Sequence, residues 1–333
     1  MPDAATKTVL FVVAMEQEAM PLVTRFGLER RSPSPFLPGA PFVAWEGTTA
    51  DGVVLHLVWV GRDPRFGGVN NVATTAAAVA TYAAVAAFGT HDLVVSAGTA
   101  GGFRGVGAAV GDVYLSSKCV FHSRRIPTDG SGAESYEEYG FGHYRSPQLG
   151  ALASAAGLKV GVISTSDSLD CTPMDLELMR SEGAAVKEME AAAVAWVCQT
   201  LGVPFVALKA ITDIVDGEHA TRGEFEANLE IASQALQERA AAVLALLART
   251  PLSGWAAGGR LLPSAPATPS VAATAAAAPP PLAAAGGGGR GGRGGGAAST
   301  TATAGTPRWV FLLGVVAGAA AAGLAARTRG GVA

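Results

Sequence analysis

The sequence predicts an α/β protein in which helices cover both faces of one central sheet, that is, a three-layer α/β/α sandwich. Three observations support this fold class. Apolar runs typical of buried strands alternate with segments of helical periodicity, the alternation begins near residue 9, and no internal repeat is visible. Buried parallel strands appear as continuous apolar runs, whereas covering helices place apolar residues three to four positions apart.

The individual elements follow from these two patterns in chain order. We predict strands at residues 9–13, 53–60, 93–96, 160–164, 184–186 and 205–211. We predict helices at residues 16–26, 76–88 and 223–247, with a further helix after residue 190. Pro21 interrupts the first helix, and Gly202 and Pro204 form the stop signal of the helix after residue 190. Residues 98–102 follow a strand and are predicted to form a glycine turn.

Composition excludes several classes of protein. The chain has 333 residues, 49% of them hydrophobic, which is ample for a core, and a formal net charge of −3 gives no reason to expect a nucleic-acid partner. Cys119, Cys171 and Cys198 are odd in number and widely spaced, so we expect reduced thiols in a cytosolic compartment. The five histidines show no paired ligand spacing, and we therefore assign no metal and no cofactor.

Carboxylates stand where predicted strands end. Asp213 follows an apolar strand, and Glu188 and Glu190 flank Met189 where another strand gives way to a helix. Glu18 lies just after the first strand, in the opening turn of a helix. Ligands of open α/β sheets collect at the carboxyl ends of the strands, so we expect these acids to converge on one rim.

The local surroundings predict different protonation states for two of these acids. Asp213 ends an apolar strand, where desolvation favours the neutral carboxyl. Glu18 lies at a helix N-terminus, whose dipole favours the ionised form. Such a pair suits acid–base chemistry, although each residue taken alone is also explained as a surface or capping carboxylate.

Three blocks of sequence carry a resemblance to a known family. They are AMEQE at residues 14–18, AGTAGGF at residues 97–103, and the segment 187–215 with its ITD at residues 211–213. With GRDP at 61–64 and FHSRRIP at 121–127, the chain over roughly residues 9–246 resembles the 5'-methylthioadenosine/S-adenosylhomocysteine nucleosidases of the nucleoside phosphorylase superfamily, in their plant-type form. The likeness does not extend past about residue 250.

The resemblance implies a fold, a reaction and a set of roles. The fold has a mixed, partly barrelled central sheet, and the reaction is hydrolysis of the N-glycosidic bond of 5'-methylthioadenosine, in methionine salvage. S-adenosylhomocysteine is a second expected substrate. Asp213 is expected to protonate adenine N7, and Glu18 to activate the attacking water, which Thr99 helps to hold. Met189 and Glu190 match the residues that bind the ribose.

Further site residues follow from the same resemblance. Lys209 stands where bacterial members carry arginine, and the segment 165–170, with Ser168 and Leu169, corresponds to the loop that packs on adenine. Glu188 is placed with the substrate-binding residues as a neighbour of the ribose pair or a charge partner of Lys187. Family members are homodimers, so we expect a homodimer with residues 123–144 as the exchange region.

Two other functions remain open at this point. A purine nucleoside or methylthioadenosine phosphorylase has the same fold but needs cationic groups for phosphate, for which Arg62 is the candidate. A membrane-tethered nucleoside sensor without turnover is the second alternative, and the presence of Glu18, Glu190 and Asp213 together disfavours it.

The C-terminal part of the chain differs in character. We predict a catalytic domain at 1–250, a disordered Ala/Pro/Gly-rich linker at 251–307, and a C-terminal transmembrane anchor at 308–329. The anchor rests on an uncharged run at 309–326 that has arginines on both sides, and an alanine-rich tail is the alternative. No presequence precedes the first strand, which predicts a cytoplasmic catalytic domain attached by its tail to an intracellular membrane.

Overall fold

A mixed sheet flanked by helices forms the centre of the computed structural model, which describes residues 7–126, 134–217 and 221–261. The strands are β1 Thr8–Val13, β2 Glu29–Arg30, β3 Val43–Thr48, β4 Val54–Trp59, β5 Arg62–Asp63, β6 Val69–Asn70, β7 Leu93–Gly102, β8 Val113–Phe121, β9 Tyr144–Arg145, β10 Lys159–Thr165, β11 Ala184–Glu188 and β12 Phe205–Ile214. The helices are α1 Glu16–Phe26, α2 Ala73–Phe88, α3 Glu134–Phe141, α4 Gly150–Ala156, α5 Pro173–Ser181, α6 Ala191–Leu201, α7 Thr221–Arg249 and α8 Leu252–Trp255. Three short 3₁₀ turns lie at Pro64–Phe66, Arg104–Val106 and Ala257–Gly259.

The sheet curls back on itself at one end. Its strand order is β11-β10-β8-β12-β7-β1-β4-β3-β2, and β11 pairs a second time, antiparallel, with the end of β7. The pairs β1/β4, β1/β7, β7/β12 and β10/β11 are parallel, whereas β8/β12 and β3/β4 are antiparallel. The expected mixed and partly barrelled sheet is therefore confirmed.

Alternation along the central strands produces the three layers. In β1, Val9 and Phe11 belong to the core cluster that also contains buried residues of α1, α4 and α7. The residues between and after them, Leu10 and Val12, belong to a second cluster with α2 and α6. Because successive side chains of a strand point to opposite faces, the two clusters are the two sides of the sheet. The predicted α/β/α sandwich is confirmed.

Strand β7 differs most from its prediction. It was expected to end at residue 96 and to be followed by a glycine turn, but all ten residues of Leu93–Gly102 form a buried strand. Its second half pairs with β12 on one side, and its last two residues pair with β11 on the other. These partners come from distant parts of the chain and satisfy the backbone polar groups, so the glycines remain extended.

The packed chain continues beyond the domain boundary expected at residue 250. Leu252 and Ala256 are buried in the same cluster as α1, α4 and α7, and Trp255 and Leu261 pack against it. The described residues belong to the first of two compact units, residues 1–267. None of the helices within the described ranges has the length and apolar composition that a membrane crossing requires. The apolar run 309–326 and most of the predicted linker lie outside the described residues.

Candidate active site

Glu18 is a buried carboxylate that is held by three protein donors. It is only 3% exposed and lies in the first turn of α1, where the backbone N–H of Met15 donates to its Oε2 over 3.2 Å. Both the backbone N–H and the hydroxyl of Thr99 donate to its Oε1, each over 2.6 Å. Thr99 therefore fixes the direction in which the Glu18 carboxylate points.

Asp213 is buried with one oxygen bonded and the other free. It is 3% exposed, and the hydroxyl of the preceding Thr212 donates to its Oδ1 over 2.8 Å. Its Oδ2 has no hydrogen-bond partner among the described residues. A buried carboxyl oxygen without a partner is costly, so this atom is suited to meet a polar group of a ligand.

The glycines of β7 bring these two acids to the same strand. A Cβ added at Gly98 would lie 3.0 Å from Glu18 Oε1, and one added at Gly101 would lie 2.7 Å from Asp213 Oδ2. Three residues of extended chain span about 10 Å. The expectation that the acids converge is met by their common contact with one short segment of β7.

A buried lysine ties the two glutamates at the end of β11 together. Lys209 is 2% exposed, and its Nζ lies 2.9 Å from Glu188 Oε2 and 3.8 Å from Glu190 Oε2. Burial disfavours the charged lysine, but the attraction of Glu188 and Glu190 outweighs it and raises the pKa of Lys209. Lys209 is thus the cation that holds both acids.

Glu188 is saturated by protein donors. Besides Lys209, its carboxylate accepts from the Thr165 hydroxyl and from the backbone N–H groups of Glu190 and Ala191, the latter at 2.8–3.0 Å. Burial raises its pKa, but Lys209 and these donors outweigh burial, so the pKa of Glu188 is lowered. The sequence-based pairing with Lys187 is corrected to Lys209, and Glu188 has no oxygen free for a substrate.

Glu190 keeps one oxygen available. Its Oε1 accepts from the backbone N–H of Ala73 over 2.9 Å, and its Oε2 reaches only the distant Lys209. Burial, followed by repulsion from Glu188, raises its pKa to about 7 against the attraction of Lys209. Ala73 adopts a left-handed φ of 76°, and this turn directs its N–H toward the carboxylate.

The loop at residues 165–170 is fastened by a second lysine that the sequence reasoning treated only as a partner for Glu188. Lys187 Nζ donates to the carbonyls of Ser168 and Leu169 over 2.8 and 2.7 Å. Leu169 itself is 50% exposed. Met189 is half-buried at the end of β11, between Glu188 and Glu190.

The charge tuning of the two acids differs from the sequence-based expectation. Burial raises the pKa of Asp213, as its strand-end position predicts. Burial also raises the pKa of Glu18, against Thr99 and Lys209, so the helix dipole does not decide its state. The acids are still distinguishable, because three donors favour a charged Glu18, whereas a single donor leaves Asp213 suited to carry a proton.

Arg62, the candidate phosphate ligand, is already engaged. Its guanidinium bonds to Glu16 and donates to the carbonyl of Gly68 over 2.6 Å. Within the described ranges, no group of three or more histidine, cysteine or acidic side chains is arranged to hold a metal ion.

Comparison with known proteins identifies the family. The family model described as the phosphorylase superfamily matches residues 8–248. The chain belongs to this superfamily. Within the superfamily it is 40% identical over 237 residues to a 5'-methylthioadenosine nucleosidase of Arabidopsis thaliana, a match that covers 71% of this chain and 86% of the relative.

Two further superfamily members agree with this placement. A 5'-methylthioadenosine/S-adenosylhomocysteine nucleosidase of the same plant is 39% identical over 231 residues, which cover 69% of this chain and 88% of the relative. The apo structure of the Arabidopsis thaliana 5'-methylthioadenosine nucleosidase aligns with a TM-score of 0.69 and 39% identity over 73% of this chain and 96% of that one. The plant-type resemblance of the sequence blocks is therefore confirmed.

Proposed function

We propose that the chain hydrolyses the N-glycosidic bond of 5'-methylthioadenosine and releases adenine and 5-methylthioribose. The observation that carries this proposal is the pair of buried carboxyls against one segment of β7, with Glu18 at Gly98 and Thr99 and Asp213 at Gly101. The names of the plant relatives support the same substrate and the same reaction class.

The chemistry follows from the separate surroundings of the two acids. The bond from the sugar C1' to adenine N9 breaks with its electron pair moving to the purine, while Asp213 delivers its proton to N7. Water adds to C1', and its proton passes to Glu18. Protonated Asp213 and ionised Glu18 are the states that this step needs, and the contacts of each side chain favour them.

Glu190 supplies the anchor for the sugar in this proposal. Its free Oε2 accepts from a ribose hydroxyl, and Met189 beside it packs against the ring. Ser168 and Leu169 contact the adenine from the loop that Lys187 holds. Glu188 and Lys209 act by fixing Glu190, since their own polar atoms bond mainly to each other and to protein donors.

A phosphorylase reaction is disfavoured by charge. The only arginine that the sequence suggested for phosphate, Arg62, is neutralised by Glu16, and Glu18 would repel a phosphate dianion. Adenine release in phosphate-free buffer tests the choice directly. Equal release with and without phosphate supports hydrolysis, and a strict requirement for phosphate contradicts it.

The variant Asp213→Asn tests the acid. We expect adenine release to fall by at least about 10²-fold, because the amide cannot deliver a proton, while the binding of the nucleoside persists. Asp51→Asn, in the exposed turn between β3 and β4, is the matched control and should retain full activity. Binding without turnover by the parent chain would favour the nucleoside sensor instead.

We further propose two features of the intact protein that depend on the resemblance and on the sequence. The first is a homodimer, which sedimentation velocity would detect as a species of twice the chain mass. The second is attachment of a cytoplasmic catalytic domain to a membrane through the apolar run 309–326. Flotation with liposomes of the full chain, compared with a chain ending at residue 267, tests this attachment.

A further inference from the structure

Lys187 is a buried cation without an ion pair among the described residues. It is 7% exposed, and its ammonium group donates to two backbone carbonyls, those of Ser168 and Leu169. The other buried lysine of the site, Lys209, instead lies 2.9 Å from a carboxylate. Buried charges are normally paired with an opposite charge, so the isolated position of Lys187 requires a reason.

The register of the sheet places Lys187 beside the catalytic acid. Gly101 of β7 pairs with Lys187 of β11 on one side and with Asp213 of β12 on the other. The two residues therefore flank one glycine, about 10 Å apart along the sheet, and no side chain at position 101 stands between them. The Asp213 carboxyl leans over this glycine, since a Cβ there would lie 2.7 Å from Oδ2.

Few other charges act on Asp213. Among the described residues, the Thr212 hydroxyl and the Lys187 ammonium lower its pKa, and Glu224 of α7, which accepts from the Ile214 N–H, raises it. Burial lowers the pKa of Lys187, and the acidic groups that oppose this effect are Cys171, Asp213, Asp170 and Glu188. His122 also faces Lys187, which helps to keep that imidazole neutral. Lys187 is thus the cation that acts on Asp213.

We propose that Lys187 is a positioning residue that supplies the countercharge to Asp213 as this carboxyl gives up its proton, while it also fixes the loop that contacts the base. This inference rests on the proposed function. The proton passes from Asp213 to the leaving purine, the glycosidic electron pair moves to the same purine, and Asp213 becomes a carboxylate. Its negative charge appears only as the bond breaks, so Lys187 stabilises the transition state more than the ground state.

The test compares Lys187→Met, which removes the charge, with Lys187→Arg, which keeps it. For the Met variant we expect kcat to fall by about 10- to 100-fold. The alkaline limb of the rate profile reports deprotonation of Asp213, and loss of the lysine should move it upward by about 0.5–1 pH unit. The Arg variant should keep the limb of the parent enzyme.

Controls separate this effect from damage to the fold. Lys159→Met, at the opposite end of β10 from the loop, should leave both the rate and the profile unchanged. If the Met variant does not fold, Lys187→Gln, which keeps an N–H donor for the loop carbonyls, gives the same comparison. A reduced rate with an unmoved alkaline limb would overturn the countercharge role. A parent enzyme that releases no adenine would instead defeat the proposed function itself.

Discussion

The substitution Gly101→Ala probes the contact on which the candidate site depends. The added Cβ would lie 2.7 Å from Asp213 Oδ2 and 2.7 Å from a methyl carbon of Val215. Ordinary contacts of this kind are about 3.4 Å, so the carboxyl must move by roughly 0.7 Å. A displacement of about 1 Å from the reacting geometry can cost about 10²-fold in rate.

We therefore expect kcat for adenine release to fall by about 10²-fold in this variant. The backbone at residue 101 is extended, so the cost to stability is only that of overpacking, about 1–3 kcal/mol. Steady-state kinetics gives the first quantity, and urea unfolding followed by circular dichroism gives the second.

Gly150→Ala is the matched control for this experiment. Gly150 opens α4, a Cβ there meets nothing within 4 Å, and alanine favours a helix, so activity should be unchanged and stability slightly increased. If Gly101→Ala were as active as the parent, Asp213 would not occupy the position from which it acts, and the assignment of the acid would fail.

Two further predictions concern stability. Lys209→Met leaves Glu188 and Glu190 buried without their cation and should lower the free energy of unfolding by about 3–5 kcal/mol in urea titrations, whereas loss of an exposed lysine should cost at most about 1 kcal/mol. Burial, followed by repulsion from its neighbour His56, lowers the pKa of His91 from 6.5 to about 4, so the unfolded chain binds its proton more readily than the folded one. Stability should therefore be complete above pH 6.5 and should fall as the pH drops toward 4, and an unchanged slope in His91→Gln would refute this cause.

Local pattern was sufficient for most of the secondary structure. The predicted helix 16–26 is α1, and the predicted strand 205–211 is the first part of β12, because burial on one face or on both sides imprints a period that is legible within a few residues. Strand β8 was not predicted, since Ser116, Ser117 and Lys118 interrupt its apolar run. The missed second half of β7 has the same origin, because glycine has no side chain to record its burial.

The sequence by itself determined which groups carry the chemistry, since the blocks around Glu18, Glu190 and Asp213 identify the family whatever the chain folds around. Only the tertiary structure decided what each group meets. Lys209 rather than Lys187 pairs with Glu188, and Gly101 separates Lys187 from Asp213. These contacts join strands far apart in the chain, and the desolvation that raises the pKa of Glu18 comes from everything packed around it. Neither can be inferred from neighbouring residues, because pairing and burial are properties of the assembled sheet.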